Sequence, residues 1–270
     1  MAEDPVPAVT EAEATGDIAA IFADIRAVYR VGVVNLIWRH LATIPDALPW
    51  AWQAIRPLFV DTTIQYQAAV LRGGLSLPVL PPIPPEVLSA LGLSPGDLAR
   101  IRAVLEAYHR TNSMALVALT ALAHPGNPRR PASTVPVECD EGPDEIPLPP
   151  LPSLDALPPD VGALVNRLNS FGTVAEKPIL ASMYRHLAHW PPYLGLVWAV
   201  LAPLHQSGTL HAAIAVTAAR AKALSATILM PNKPPPPGAR EAIAPFIDDV
   251  LPKMVAICGM LHAMTTAPDA

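Results

Sequence analysis

Trp38-Arg39-His40-Leu41-Ala42-Thr43-Ile44-Pro45 returns 146 residues further along as Tyr184-Arg185-His186-Leu187-Ala188-His189-Trp190-Pro191. At the same offset Leu48 meets Leu194, Trp52 meets Trp198, Pro57 meets Pro203 and Leu58 meets Leu204. A match this long without a gap divides the chain into two related halves. Two halves packed face to face leave a cleft between them, and a cleft is the default place for a ligand.

The surrounding pattern is helical. Ile18, Ile21, Phe22, Ile25, Val28 and Tyr29 recur at the spacing of one helix face, and Val161, Leu164, Val165 and Leu168 open the second half the same way. The repeated segment predicts a helix over Val33 to Thr43 and another over Ile179 to His189, each stopped by a proline, Pro45 or Pro191. A further helix in each half carries Trp52 or Trp198 as a core anchor. Ser94-Pro95-Gly96-Asp97 reads as an N-cap, a proline at the first helical position and an acid in the first turn. After it, Arg110-Thr111-Asn112-Ser113 reads as a polar break before a second helix, Met114 to Ala123. The later counterpart runs from Phe246 through Pro252-Lys253 to Met264. No stretch alternates at period two and no Asn-Gly or Asp-Gly turn occurs, so strands are not expected. The fold class that follows is all-α, two pseudo-symmetric helical repeats joined by a long Pro-rich linker. The expected boundaries are a flexible N-terminus (1–14), repeat 1 (15–124), the linker (125–159) and repeat 2 (160–265). Leu148, Leu151 and Leu154 are suited to anchoring the linker as a surface strap.

Composition narrows the function. Of 270 residues, 51% are hydrophobic and 15% charged, against roughly 25% charged in typical soluble domains. The net charge of -5, with no basic cluster beyond Arg129-Arg130, leaves no footprint for nucleic acid. The most apolar window, Tyr193 to Leu204, is 12 residues long, short of the roughly 20 needed to span a bilayer. The acidic stretch to Asp17 lacks a signal-peptide pattern. No membrane association and a cytoplasmic location are expected. Cys139 and Cys258 sit in unlike settings and imply neither a disulfide framework nor a CxxC metal motif.

Few polar residues interrupt the apolar helices, and each fits two roles. Asn35 fits a helix–helix hydrogen bond or a place in a pocket. Asn112 fits an N-cap for the Met114 helix, a pocket role, or both. Arg39-His40 and Arg185-His186 fit symmetric structural contacts with helix-end carbonyls; alternatively Arg39 or Arg185 faces the cleft and pairs with a substrate carboxylate. His186 and His189 have a spacing a metal uses, but no third ligand is in reach, so no metal is expected. Glu176-Lys177-Pro178 reads as a solvated helix start.

Asp24-Ile25-Arg26, Arg30-Val31, Arg39, Leu41-Ala42-Thr43, Pro45, Leu48-Pro49 and Ala51-Trp52 together resemble the opening of the group I 2-haloacid dehalogenases, the DehI family. Leu187-Ala188 with Trp190-Pro191 resembles that family's second repeat, and Tyr108 to Ala121, with Asn112 and Leu119-Thr120-Ala121-Leu122, is similar too. The resemblance implies an all-helical protein with its active site between two repeats. It implies hydrolysis of the carbon–halogen bond of small 2-haloacids by a water attacking Cα directly. An Asp is the base, an Asn holds the water, and no metal or organic cofactor takes part. The Asp position, seven residues before Trp190, falls on Met183. Ser182 keeps the neighbouring Ser, Asn112 keeps the Asn, and two aromatic pocket positions fall on the smaller Val33 and Leu36. The expected pocket is therefore Val33, Asn35, Leu36, Asn112, Ser182 and Met183. It suits a small, carboxylate-bearing molecule and lacks the inherited base. The competing expectations are a non-catalytic ligand-binding or protein-interaction module and an enzyme of altered chemistry on a larger apolar substrate; a homodimer is an expected form in any of these readings.

Overall fold

The computed structural model describes residues 6–125, 147–173, 175–231 and 233–266. Among them the chain is all-α, with no sheet. The first half contributes α1 (Gly16–Tyr29), α2 (Leu36–Leu41), α3 (Ala47–Val60), α4 (Thr63–Gly73), α5 (Pro85–Ala90) and α6 (Pro95–Ala123). The second contributes α7 (Pro159–Ser170), α8 (Ser182–Leu187), α9 (Pro191–Gln206), α10 (Thr209–Ser225), α11 (Ala239–Pro245) and α12 (Leu251–Thr265), with a π-helical turn, Phe246–Val250, leading into α12. Cys139 lies outside the described residues, as does most of the linker.

The centre is α6 against α12. From Thr111 to Leu122 every residue of α6 is buried, and so is nearly all of α12. A helix apolar on all sides is stable only when neighbours cover it all round. Each fully buried Leu, Ile or Val contributes about 1.5–3 kcal/mol. The start of α6 is set by a capping box. Ser94 Oγ accepts from the Asp97 amide at 3.1 Å, and Asp97 Oδ2 accepts from the Ser94 amide at 3.0 Å. Trp190 Nε1 donates to Asp97 Oδ1 at 2.9 Å, tying the second half to this cap. The Ser94 hydroxyl, the Trp190 indole and the Ser94 amide together hold the Asp97 carboxyl down at about 2.

The halves exchange partners. α8 packs on α6, α2 on α11, and α4 on α10. One contiguous core runs through both halves, from Phe22 to Met264.

Several expectations are corrected. α6 is unbroken, because Thr111, Asn112 and Ser113 are buried against neighbouring helices that satisfy their polar atoms; Asn112 therefore caps nothing. The repeated helices are only Leu36–Leu41 and Ser182–Leu187, since Asn35 and Ala181 before them sit outside helical geometry, with ψ of 146° and 124°. Pro191 does not stop α8; it starts α9. Trp52 is 3% exposed, but Trp198 is 43% exposed and lies outside the buried core. Residues 6–14, expected to be loose, dock instead: the Val9 amide donates to Arg39 O at 3.0 Å, and His40 Nδ1 binds Pro7 O at 2.7 Å. From residue 147 onward the linker docks in the same manner on α8, with Leu148 and Leu154 against the core.

Candidate functional site

A cavity opens where α2 and α8 begin. Its walls are Asn35, Leu36 and Ile37 at the start of α2, Leu180 to Met183 at the start of α8, Tyr108 and Asn112 of α6, and Phe246, Val250, Leu251 and Met254 from the π turn and α12. Both halves supply it. Of the six residues expected to line a pocket, Asn35, Leu36, Asn112, Ser182 and Met183 do so. Val33 does not; it is half-buried and outside the lining, because α2 starts only at Leu36.

The cavity holds about 30 Å³, enough for about one or two water molecules. A small organic acid enters only if flexible walls such as Leu36 and Met254 swing aside. The smaller side chains at positions 33 and 36 have not left a large space. A roomier groove of about 740 Å³ lies between α5, the start of α6 and the end of α12. Among the described residues Arg102 is its one charged side chain, and no acid or histidine lines it.

The short helices are aimed by what precedes them. Glu11 Oε1 accepts from the Val34 amide at 2.8 Å while Glu11 also pairs with Arg26, fixing the approach to α2. Asn169 does the equivalent before α8: its Nδ2 donates to Ile179 O at 3.1 Å and its Oδ1 accepts from the Ala181 amide at 3.0 Å. Lys253, fully buried, donates to Asn169 O at 3.0 Å at the end of α7. Burial pulls the Lys253 ammonium below its usual range, and Asp249 acts against that.

Inside the cavity, Asn35 Nδ2 donates to Thr111 Oγ1 and Asn112 Oδ1, each at 3.1 Å. Asn35 therefore has both roles considered for it: a helix–helix bond and a wall of the cavity. Asn35 Oδ1 is buried without a hydrogen bond, and Ser182 Oγ sits beside the Tyr108 hydroxyl without a well-formed one. Met183 is fully buried, and its Sδ receives the Cys258 thiol at 3.1 Å. Burial pushes the Cys258 thiol far up, so it stays protonated. Among the described residues no carboxylate lines the cavity.

Tyr108 Oη lies 2.7 Å from His186 Nδ1, and His186 Nε2 lies 3.0 Å from Pro149 O. A carbonyl oxygen only accepts, so Nε2 carries the proton and Nδ1 receives the Tyr108 hydroxyl. Burial pulls the imidazole down to about 4, with His189, Arg185 and Arg39 adding to the effect and the Pro149 carbonyl opposing it. Burial also pushes the Tyr108 phenol up, partly offset by Arg39 and Arg185.

Arg39 and Arg185 lie beside this pair but outside the lining. Arg39 Nε donates to Val34 O at 3.1 Å and Arg185 Nε to Pro152 O at 2.8 Å. Their carbonyl partners belong to the extended segments and not, as expected, to helix ends. His189 Nε2 binds Pro150 O at 2.8 Å, so neither His186 nor His189 presents Nε2 to a metal. Among the described residues no group of three or more His, Cys, Asp or Glu is placed to hold a metal ion. No helix among them is long and apolar enough to cross a membrane. The Tyr108 role and the Asn169–Lys253 support were not evident beforehand. Their partners lie far away in the chain, and the one available signal was a lysine inside an apolar helix.

No family model matches the chain. A curated configuration-inverting 2-haloacid dehalogenase from Alcaligenes xylosoxydans xylosoxydans is 30% identical over 211 residues, covering 73% of this chain and 69% of that protein. The fold matches a D-2-haloacid dehalogenase mutant with a TM-score of 0.72 at 18% identity over 98% of each chain. It also matches a D-2-haloacid dehalogenase in complex with L-LA, with a TM-score of 0.70 at 18% identity over 98% of this chain and 97% of that one.

Proposed function

The chain belongs to the configuration-inverting 2-haloacid dehalogenase family, and from that premise we propose that the cavity between its halves takes a small carboxylate of the 2-haloacid or 2-hydroxyacid kind without the family's carboxylate base. In this reading residues 15–124 and 160–265 are the two repeats, and 125–159 joins them. The observation that carries it is at Met183. The position that the resemblance assigns to the catalytic Asp holds a thioether bonded by the Cys258 thiol, and among the described residues no Asp or Glu lines the cavity. A thioether takes no proton from water at ordinary pH. General-base catalysis contributes about 10²–10⁴-fold, so turnover of 2-haloacids drops by that order. Asn112 and Ser182, both retained, still face the cavity. Arg39 and Arg185 stand close enough to supply a positive field for the ligand's carboxylate. The reaction needs no cofactor, and in this reading the protein needs neither nucleic acid nor a membrane.

The volume of about 30 Å³ favours a small ligand over the larger apolar substrate. The test is thermal unfolding with 2-chloropropionate, lactate and neutral propanol, alongside halide release from both enantiomers of 2-chloropropionate. A ligand that binds only the folded state raises the midpoint. The two carboxylates raise it, propanol does not, and halide release is slow. Equal midpoints with and without carboxylate overturn the pocket assignment; release at the rate of an Asp-bearing relative overturns the loss of the base.

A further inference from the structure

We propose that a base has been rebuilt beside the vacated position, as a relay in which Tyr108 takes a proton from a water in the cavity while passing its own to His186. This rests on the small-carboxylate reading above. Tyr108 lines the cavity with Asn35, Asn112 and Ser182, and His186 stands one helical turn beyond Met183 on α8. The direction of the bond is settled by the other ring nitrogen. His186 Nε2 is held by the Pro149 carbonyl, which leaves the Nδ1 lone pair, 2.7 Å from Tyr108 Oη, as the acceptor. Two further groups are placed for the water. Asn35 Oδ1 is a buried acceptor without a hydrogen bond and Ser182 Oγ, beside Tyr108, has no well-formed one, both on walls of a space sized for a water molecule. A buried polar atom without a partner is destabilising, and a water bridging two such atoms recovers much of the loss.

For a 2-haloacid the step balances as follows. The water oxygen attacks Cα opposite the halogen, the carbon–halogen bond breaks, and its electron pair leaves with the halide. The water proton moves to Tyr108 Oη, and the Tyr108 proton moves to His186 Nδ1. The products are the 2-hydroxyacid, halide and an imidazolium that returns its proton to solvent. Charge explains why this base works only when loaded. The groups facing the pair are Arg39 from α2, Arg185 from α8, His189 from the turn after α8, and Cys258 from α12, and both arginines disfavour a cation on the imidazole. A bound carboxylate brings a compensating negative charge. It raises the imidazole's proton affinity and so drives the relay.

The experiment follows bromide release from 2-bromopropionate, with thermal unfolding in the same ligand, for the full chain, Tyr108→Phe and His186→Gln. Tyr108→Phe removes one hydroxyl and keeps the packing. The parent protein is expected to release bromide slowly. Both variants lose about tenfold or more in kcat while Tyr108→Phe keeps the ligand-induced rise in midpoint. In the parent, kcat/KM falls only as pH drops towards about 4, where free His186 gains its proton. The inflection in kcat lies at higher pH, because kcat reports the loaded site. Tyr108→Phe has neither inflection. Unchanged release by Tyr108→Phe overturns the relay, as does a parent that binds the acid but releases no bromide. A parent that shows no rise in midpoint removes the binding reading itself.

Discussion

The two copies of the Arg-His-Leu-Ala segment share a backbone and a way of docking, yet their environments have diverged. In the first copy, Arg39 and His40 bind Val34 O and Pro7 O; in the second, Arg185 and His186 bind Pro152 O and Pro149 O. The two histidines each hold an upstream segment against a short helix; Arg185 does so too, whereas Arg39 turns back onto Val34 just before its own helix. The differences lie one turn earlier and on the neighbouring helix. The first copy is preceded by Asn35, wired to Thr111 and Asn112. The second begins with Ser182 and Met183, the latter wired to a thiol. The third helices differ as well. Trp52 sits edge-on to Tyr29 and Trp38, tilted against Phe59, with its Nε1 on Asp24 Oδ2 at 2.7 Å. Trp198 faces solvent. The matched sequence carries a short helix and a histidine contact to an upstream carbonyl in both places, while packing and chemistry differ between them.

Restoring the carboxylate breaks the comparison most sharply. Met183→Asp is expected to raise halide release from 2-chloropropionate by about 10²-fold or more. Burial raises the new carboxyl's pKa, so release climbs with pH as it ionises. The buried charge lowers stability as well. Halide release against pH and urea unfolding check both effects; a Met183→Asp protein that folds, binds and shows no gain places the deficit elsewhere. Next come the paired tryptophans. Trp52→Ala costs about 3–5 kcal/mol by opening a cavity in the aromatic cluster, whereas Trp198→Ala stays below about 1 kcal/mol. Denaturant titration reads both, and equal losses would falsify the claim that only the first copy anchors its helix with tryptophan.

The smallest effect concerns backbone at matching positions. Thr62, before α4, and Gly208, before α10, both adopt the left-handed region, with φ of 64° and 77°. A non-glycine residue there is strained by about 1–2 kcal/mol. Thr62 is exposed and its side chain makes no cap hydrogen bond. Thr62→Gly is therefore expected to stabilise by about 0.5–1 kcal/mol, after glycine's entropic cost, and Gly208→Ala to destabilise by a similar amount. Midpoints of thermal unfolding that move in the same direction for both would show that the two turns are not equivalent.

Much of the cavity was legible from the chain. The resemblance put Asn112, Ser182 and Met183 at matched positions, and the apolar setting of Asn35 marked it as a group needing a partner. Helix boundaries were less legible. Arg110-Thr111-Asn112-Ser113 looked like a break because polar residues in a row suit a turn. In place, Asn35 bonds Thr111 and Asn112, Arg72 bonds Ser113, and Arg110 reaches the end of α1. Those partners are distant in sequence, and local propensity carries no information about them.

By itself the sequence determined the all-α class, the doubling of the Arg-His-Leu-Ala segment and the methionine at position 183, because periodicity, identity and residue type are local properties. The tertiary structure alone decided that Val33 leaves the cavity, that Trp198 faces water, that Cys258 bonds Met183, and that Tyr108 finds His186. Each of these depends on which side chains meet across packed helices, and burial then sets the proton affinities of the groups that meet.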